Sequence, residues 1–134
     1  MFEILSLILP THKFTLPLKP EDTICLEFSM KLREYSATDT LKCVWFHVAN
    51  EIADRKHFQF GKKIRNLGKF PGVPDYIFLG DGKCGGIEVK TPSNKQTPSQ
   101  KIFEKWCSKH NVFYHTITSA DEGLQKLRDE GILL

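Results

Sequence analysis

Residues 71–90 read Pro-Gly-Val-Pro-Asp-Tyr-Ile-Phe-Leu-Gly-Asp-Gly-Lys-Cys-Gly-Gly-Ile-Glu-Val-Lys, two apolar stretches joined by a glycine-rich link. No other segment restricts the fold as much, because it makes the chain double back on itself. The link from Gly80 to Gly86 supplies the positive-φ positions a hairpin turn requires, so strands are expected at about 75–79 and 86–90. Side chains alternate along a strand, which puts Glu88 and Lys90 on one face and Ile87 and Val89 on the other. Pairing of the two strands brings Asp75 close to Glu88 across the ladder. Two carboxylates and an ammonium then meet at one edge of a small sheet, a donor set suited to a hard divalent cation and to phosphate chemistry.

Around this ribbon the periodicity changes. Pro20-Glu21-Asp22-Thr23 reads as a helix start with Asp22 or Thr23 as cap. Ile24, Phe28, Leu32 and Tyr35 then give an apolar stripe over about 22–36. Residues 41–48 are rich in β-formers and read as a buried strand. Thr97, Pro98 and Gln100 form a capping box that opens a helix whose buried face is expected to be Ile102, Phe103, Trp106 and Cys107. Val112 to Thr118 reads as a strand. Ser119 and Glu122 form a second capping box, for a last helix carrying Leu124 and Leu127 and stopping at Gly131. The order helix, strand, strand, strand, helix, strand, helix implies an α/β fold with a central mixed sheet flanked by helices.

The 134 residues suffice for one core, expected over 21–134 with residues 1–20 as an arm. The apolar run Phe2 to Leu9 is too short to span a bilayer and lacks the basic start of a secretion signal; it reads as a strand or arm over the domain or a partner subunit. Cys25, Cys43, Cys84 and Cys107 are scattered with no CxxC pair, which argues against a zinc finger and for reduced thiols in an intracellular protein. The net charge of +3 hides an uneven layout. Residues 1–54 carry 5 basic and 8 acidic side chains, residues 55–110 carry 12 and 4, and residues 111–134 carry 2 and 4. The positive charge thus gathers around the carboxylate pair, as a polyanionic partner such as nucleic acid would require. Within it, residues 55–70 hold six bases and no acid, with Phe58, Phe60 and Phe70 interleaved. Gly61 and Gly68 interrupt regular structure there, so the segment reads as a phosphate-contacting flap pinned to the core by its aromatics.

The element order together with Pro74-Asp75 and Glu88-Val89-Lys90 resembles the PD-(D/E)XK nuclease superfamily, and more closely its virus-type replication–repair nuclease (VRR-NUC) branch. That branch shows Gly-Val-Pro-Asp, here Gly72-Val73-Pro74-Asp75, an Asn-Glu pair after the first strand, here Asn50-Glu51, and a helix-opening glutamine, here Gln100. The likeness covers about residues 22–130. One departure is Ile52, where the branch often has a small residue. The resemblance implies a restriction-endonuclease-like αβββαβ core and cleavage of DNA phosphodiesters with Mg2+, for which Mn2+ substitutes. It also implies short phage or bacterial relatives that work as dimers on branched or flapped DNA, so a homodimer and a virus- or phage-encoded origin fit.

On this reading Asp75, Glu88 and the Val89 carbonyl would bind the metal, and Lys90 would assist at the phosphate. Either Glu27, on the border of the first helix's stripe, or Glu51 would complete the site. Gln100 is explained by its capping box and is also a candidate to touch Lys90 or the scissile phosphate. Lys56, Lys62, Lys63, Arg65, Lys69, Lys95 and Lys101 would bind backbone phosphates. His47 reads as a packed strand residue, His57 as a phosphate contact, and His110 and His115 as structural or exposed. Two rivals stand beside the junction-type nuclease. One is a non-cutting nucleic-acid-binding module; the other is a sequence-specific restriction-type nuclease, for which the chain has little room.

Overall fold

A computed structural model of the chain describes residues 2–10, 13, 15, 17–49 and 58–134. In chain order the elements are α1 (Phe2–Ile8), α2 (Pro20–Ala37), β1 (Cys43–His47), α3 (Phe58–Asn66), β2 (Tyr76–Gly80), β3 (Lys83–Val89), α4 (Pro98–Lys109), β4 (Phe113–Ile117) and α5 (Ala120–Asp129). The strands form one mixed sheet in the order β1-β2-β3-β4. β1, β2 and β3 run antiparallel to their neighbours, and β4 returns parallel to β3 through α4. Among the described residues no helix is long and apolar enough to cross a membrane.

Alternation along the strands divides the sheet into two faces. Tyr76, Phe78, Ile87, Val89 and Ile117 point to one side and are fully buried there by Phe28 and Leu32 of α2 and Leu124 and Leu127 of α5. Phe28 meets the Tyr76 ring edge-on at 5.0 Å. Each such side chain contributes about 1.5–3 kcal/mol on leaving water, so this face supplies most of the core energy. Asp75, Gly86, Glu88 and Lys90 belong to the opposite face, which α4 covers only over its β4 side. Val44 and Phe46 of β1 lie on that second face, 65% and 46% exposed, so this edge strand is half-buried and not the buried strand expected from its composition.

Several boundaries differ from the sequence expectation for identifiable reasons. The hairpin turn is only Asp81-Gly82, since Gly80 pairs with Lys83, and Lys83 to Gly86 belong to the strand. Helix α2 starts at Pro20 with Lys19 as its cap residue, and Asp22 serves as the third helical residue, its carboxylate accepting the Lys19 N–H at 3.0 Å. Proline's fixed φ makes it the better first residue. At α5 Ser119 caps as expected, accepting the Glu122 N–H at 3.1 Å, but Glu122 reaches back to the Thr118 N–H at 3.0 Å. The run from Phe2 is a helix packed on α2, not a strand; an apolar run this short fits either period. Residues 58–66 are also a helix, α3, and Gly61 does not break it. A mid-helix glycine costs only about 1 kcal/mol against alanine. Phe60 and Phe70 are exposed, so they do not pin the segment to the core.

Candidate active site

The hairpin register sets the centre. Tyr76 pairs with Ile87, which places Asp75 and Glu88 side by side one step beyond, on the face away from the main core. Two glycines make the approach possible. Gly86 has no Cβ, and the buried Pro74 ring occupies that space on the sheet. Gly72, at φ 85°, lies against the Ser99 backbone at the start of α4. The Gly72-Val73-Pro74-Asp75 segment is thereby held between the sheet and α4, and it delivers Asp75 to the end of β3. Asp75 is fixed at two points. Its carbonyl accepts the Val48 N–H at 2.7 Å, and its Oδ2 accepts the Val89 N–H at 2.7 Å. A strand residue's N–H and C=O leave on the same side, so the Val89 carbonyl points toward Asp75 as well.

Glu88 is 4% exposed. Its Oε1 accepts the Gln100 side-chain N–H at 2.7 Å and lies 3.7 Å from the Lys90 ammonium. Its Oε2 is buried without a hydrogen-bond partner. Burial, and then the Asp75 charge, push Glu88 up to about 8, against the pull of Lys90. Burial raises Asp75 too, opposed by the Val89 N–H. The two carboxyls are close enough to share a proton: ionised, Glu88 Oε2 has no donor, and protonated it donates to Asp75. Gln100 serves twice. Its Oε1 accepts the Thr97 N–H at 2.8 Å in the capping box, and its amide donates to Glu88, so it touches Glu88 and holds it in place. A buried, unpaired carboxylate oxygen beside a second carboxylate is costly unless a proton or a cation arrives. The two acids, with the Val89 carbonyl, fit a hard divalent metal, which typically needs only one or two carboxylates plus waters and phosphate oxygens. Among the described residues no group of three or more His, Cys, Asp and Glu side chains is placed to hold a metal, so the centre rests on this pair.

The pair sits at the floor of a cleft of about 590 Å³ whose walls include Glu21, His47, Lys69 and Phe70. Glu21 and Asp22 enter from the first turn of α2, and the charge of Glu21 pushes both Asp75 and Glu88 upward. The helix-borne carboxylates in the cleft are therefore Glu21 and Asp22, of which Glu21 acts on both acids, whereas Glu27 is exposed and lines no part of it. Glu21 was legible only as an acid in a helix's first turn, a position that the helix dipole alone explains. Glu51 with its neighbours Asn50 and Ile52, and also Arg55, Lys56 and His57, lie outside the described residues. His47 packs edge-on against Tyr76 at 4.9 Å and also lines the cleft. His110 caps α4, and His115 bonds Glu130 at 2.9 Å.

Of the bases, Lys69 lines the cleft. Lys62, Lys63 and Arg65 lie on α3, and Lys95 and Lys101 flank the start of α4, all five exposed. Cys25 is the thiol in the cleft wall, and burial together with the Asp75 charge pushes it up to about 12. It is a thiol at neutral pH and no nucleophile. The expected buried face of α4 is rotated. Gln100, Phe103 and Cys107 face inward, while Ile102 and Trp106 are 68% and 50% exposed. Compared with family models, with curated proteins and with solved structures, the chain matches none.

Proposed function

We propose that this chain is a metal-dependent nuclease that hydrolyses DNA phosphodiester bonds at the Asp75–Glu88–Lys90 centre. The observation that carries the reading is Glu88 Oε2, a buried oxygen with no donor, set beside Asp75 at the floor of a cleft. Asp75, Glu88 and the Val89 carbonyl would hold Mg2+, or Mn2+ in its place. A metal bound there supplies charge to polarise a phosphate and to acidify a coordinated water. Gln100 keeps Glu88 turned toward that position. Lys90 holds a positive charge beside it, where negative charge grows on the phosphate oxygens during hydrolysis. Lys69 in the cleft wall, with the exposed bases of α3 and of the α4 start, would meet the flanking phosphates. Glu51 would supply a third acid, or Glu21 would act from the cleft wall through a metal-bound water.

The element order supports a restriction-endonuclease-like αβββαβ core, read as α2, β1, β2, β3, α4 and β4 with α3 inserted after β1. The substrate we propose is branched or flapped DNA met inside a cell, with a homodimer supplying two sites where both strands are cut. The test is nicking of supercoiled plasmid with and without Mg2+ by the wild type, Lys90→Ala and Glu88→Gln. We expect metal-dependent nicking that both substitutions reduce at least 100-fold. Tight DNA binding without any nicking would leave only a binding module. Undiminished nicking by both variants would place the chemistry elsewhere. Cutting of one duplex sequence alone, and not of flaps or junctions, would favour a restriction-type enzyme.

A further inference from the structure

Beside the cleft lies a second recess, of about 270 Å³, lined by Phe70, Pro71, Ser99, Ile102, Phe103 and Trp106. Phe70 and Pro71 line both, so the recess adjoins the cleft. Its rings are braced but not stacked. Trp106 meets Phe70 at 5.7 Å and 77°, and Phe103 at 5.7 Å and 79°, both edge-on. Neither contact is a parallel stack, and Trp106 is half exposed. A dry cavity of about 150 Å³ accommodates benzene, so this recess has room for one flat heterocycle.

Resting on the nuclease reading of the cleft, we propose that the Phe70–Ile102–Trp106 recess stacks one unpaired nucleobase of the strand whose phosphate lies over Asp75 and Glu88. The charge around it selects this occupant. On a helix of 3.6 residues per turn, Lys105 and Lys109 fall within about 60° of Ile102, on the same exposed side as Trp106. Lys69 adjoins Phe70 at the cleft wall. An apolar floor with a basic rim fits a flat ring carried on an anionic backbone, the combination by which single strands are held. A paired base has both faces covered by its neighbours in the stack, so a base in the recess must be unpaired. The substrate class narrows accordingly to strands unpaired next to the cut, such as a flap, a fork or the transiently opened stretches of a supercoiled plasmid, and disfavours relaxed continuous duplex. The same helix carries Gln100, which holds Glu88, so the recess and the centre keep a fixed separation.

The test uses the full chain in EDTA with three probes: an oligothymidylate, the same strand with abasic sites, and thymidine monophosphate. The wild type is expected to prefer the base-bearing over the abasic strand by about 5- to 150-fold. Trp106→Ala is expected to lose that preference while retaining its weak binding of the abasic strand, and Trp106→Phe to restore most of it. Trp106 is half exposed, so the alanine variant is expected to fold, which its circular dichroism melt checks. Saturation by the oligothymidylate is expected to quench tryptophan emission in the wild type and far less in Trp106→Ala, where only Trp45 remains. Quenching by the monophosphate but not by the strand would overturn the proposal in favour of a free-nucleotide pocket. An unchanged base preference in Trp106→Ala would overturn it as well. So would a wild-type dimer that Trp106→Ala dissociates, since a second copy would then fill the recess. If Mg2+-dependent cutting occurs and Trp106→Ala leaves the preference intact, the recess proposal fails and the nuclease reading stands. If base preference depends on Trp106 but no metal produces cutting, the nuclease reading fails and the recess stands.

Discussion

Replacing Glu88 by glutamine should make the metal-free protein more stable at alkaline pH while removing the proposed nuclease activity. The amide has the shape of the protonated acid: its oxygen can keep the Gln100 hydrogen bond, and its NH2 can donate to Asp75 as the shared proton does. Burial and the Asp75 charge raise Glu88 from 4.5 to about 8 in the folded chain. Between those values the folded protein holds a proton that the unfolded chain has released. The resulting stabilisation is complete below about 4.5 and is lost as pH rises through about 8. At about 1.4 kcal/mol for each tenfold change in proton affinity, the ceiling on this loss is about 5 kcal/mol. The cleft is open to water, so we expect about 2–3 kcal/mol between about pH 5 and about pH 9. Urea unfolding in EDTA across that range, for both proteins, isolates the effect, because the titrating groups outside the Asp75–Glu88 pair are common to both. The difference between the two should grow with pH in favour of Glu88→Gln. Adding Mg2+ at about 100 times its dissociation constant should return about 2.7 kcal/mol to the wild type and little to the variant. Parallel curves for the two proteins would mean that Glu88 carries no buried charge, and the metal reading would lose its physical basis.

Gln100→Ala should cost about 1–3 kcal/mol in urea unfolding, because it removes both the donor to buried Glu88 and the acceptor for the Thr97 N–H. Gln100→Glu should keep the cap yet lose stability more steeply above neutral pH, by placing a third acid against the pair. Gly86→Ala puts a methyl group where the Pro74 ring sits and should cost about 1–3 kcal/mol, with a lower melting temperature and weaker Mg2+ stabilisation as Asp75 is displaced. Glu21→Gln should raise the Mg2+ concentration needed for half-maximal nicking by about 10-fold, and Glu27→Gln should leave it unchanged. Equal effects of the last two would remove Glu21 from the site.

What the sequence disclosed was governed by short-range rules. The glycine-rich link from Gly80 to Gly86, of which only Asp81-Gly82 is the turn, and the alternation of Ile87, Glu88 and Val89 are local signals, and they suffice to put Asp75 opposite Glu88. Thr97 with Gln100 likewise announces α4 before any packing is known. The misreadings arose where neighbours in space decide. Val44 and Phe46 look like core residues, yet β1 is an edge strand and the helix on that face reaches only the other side of the sheet. Trp106 reads as core by spacing, but α4 is turned so that Gln100 and Cys107 face inward, a rotation fixed by the buried bond to Glu88. Glu21 carries the same signal as any acid in a first helical turn, and only the packing of α2 beside the β2–β3 edge gives it a second meaning. At 55–70 Gly61 and Gly68 read as interruptions of regular structure, yet Gly61 lies within α3, where its penalty is small.

The position of the centre follows from topology more than from any single residue. β2 begins and β3 ends at the same edge of the sheet, because they are antiparallel partners. β4 is parallel to β3, so the helix joining them must start at that edge. Gln100 lies in its first turn and lines the cleft, as Glu21 does from the first turn of α2. Two helix N-termini, each equivalent to about half a positive charge, therefore line the cleft that holds the acid pair. On the proposed reading they would favour an arriving phosphate. Glu21 adds the opposite charge, which raises both acids. On the proposed reading the centre, short of positive charge by itself, would be satisfied when a cation and a phosphate arrive together. Such a site stabilises its ligands at the expense of the free protein, the balance expected where function and stability compete.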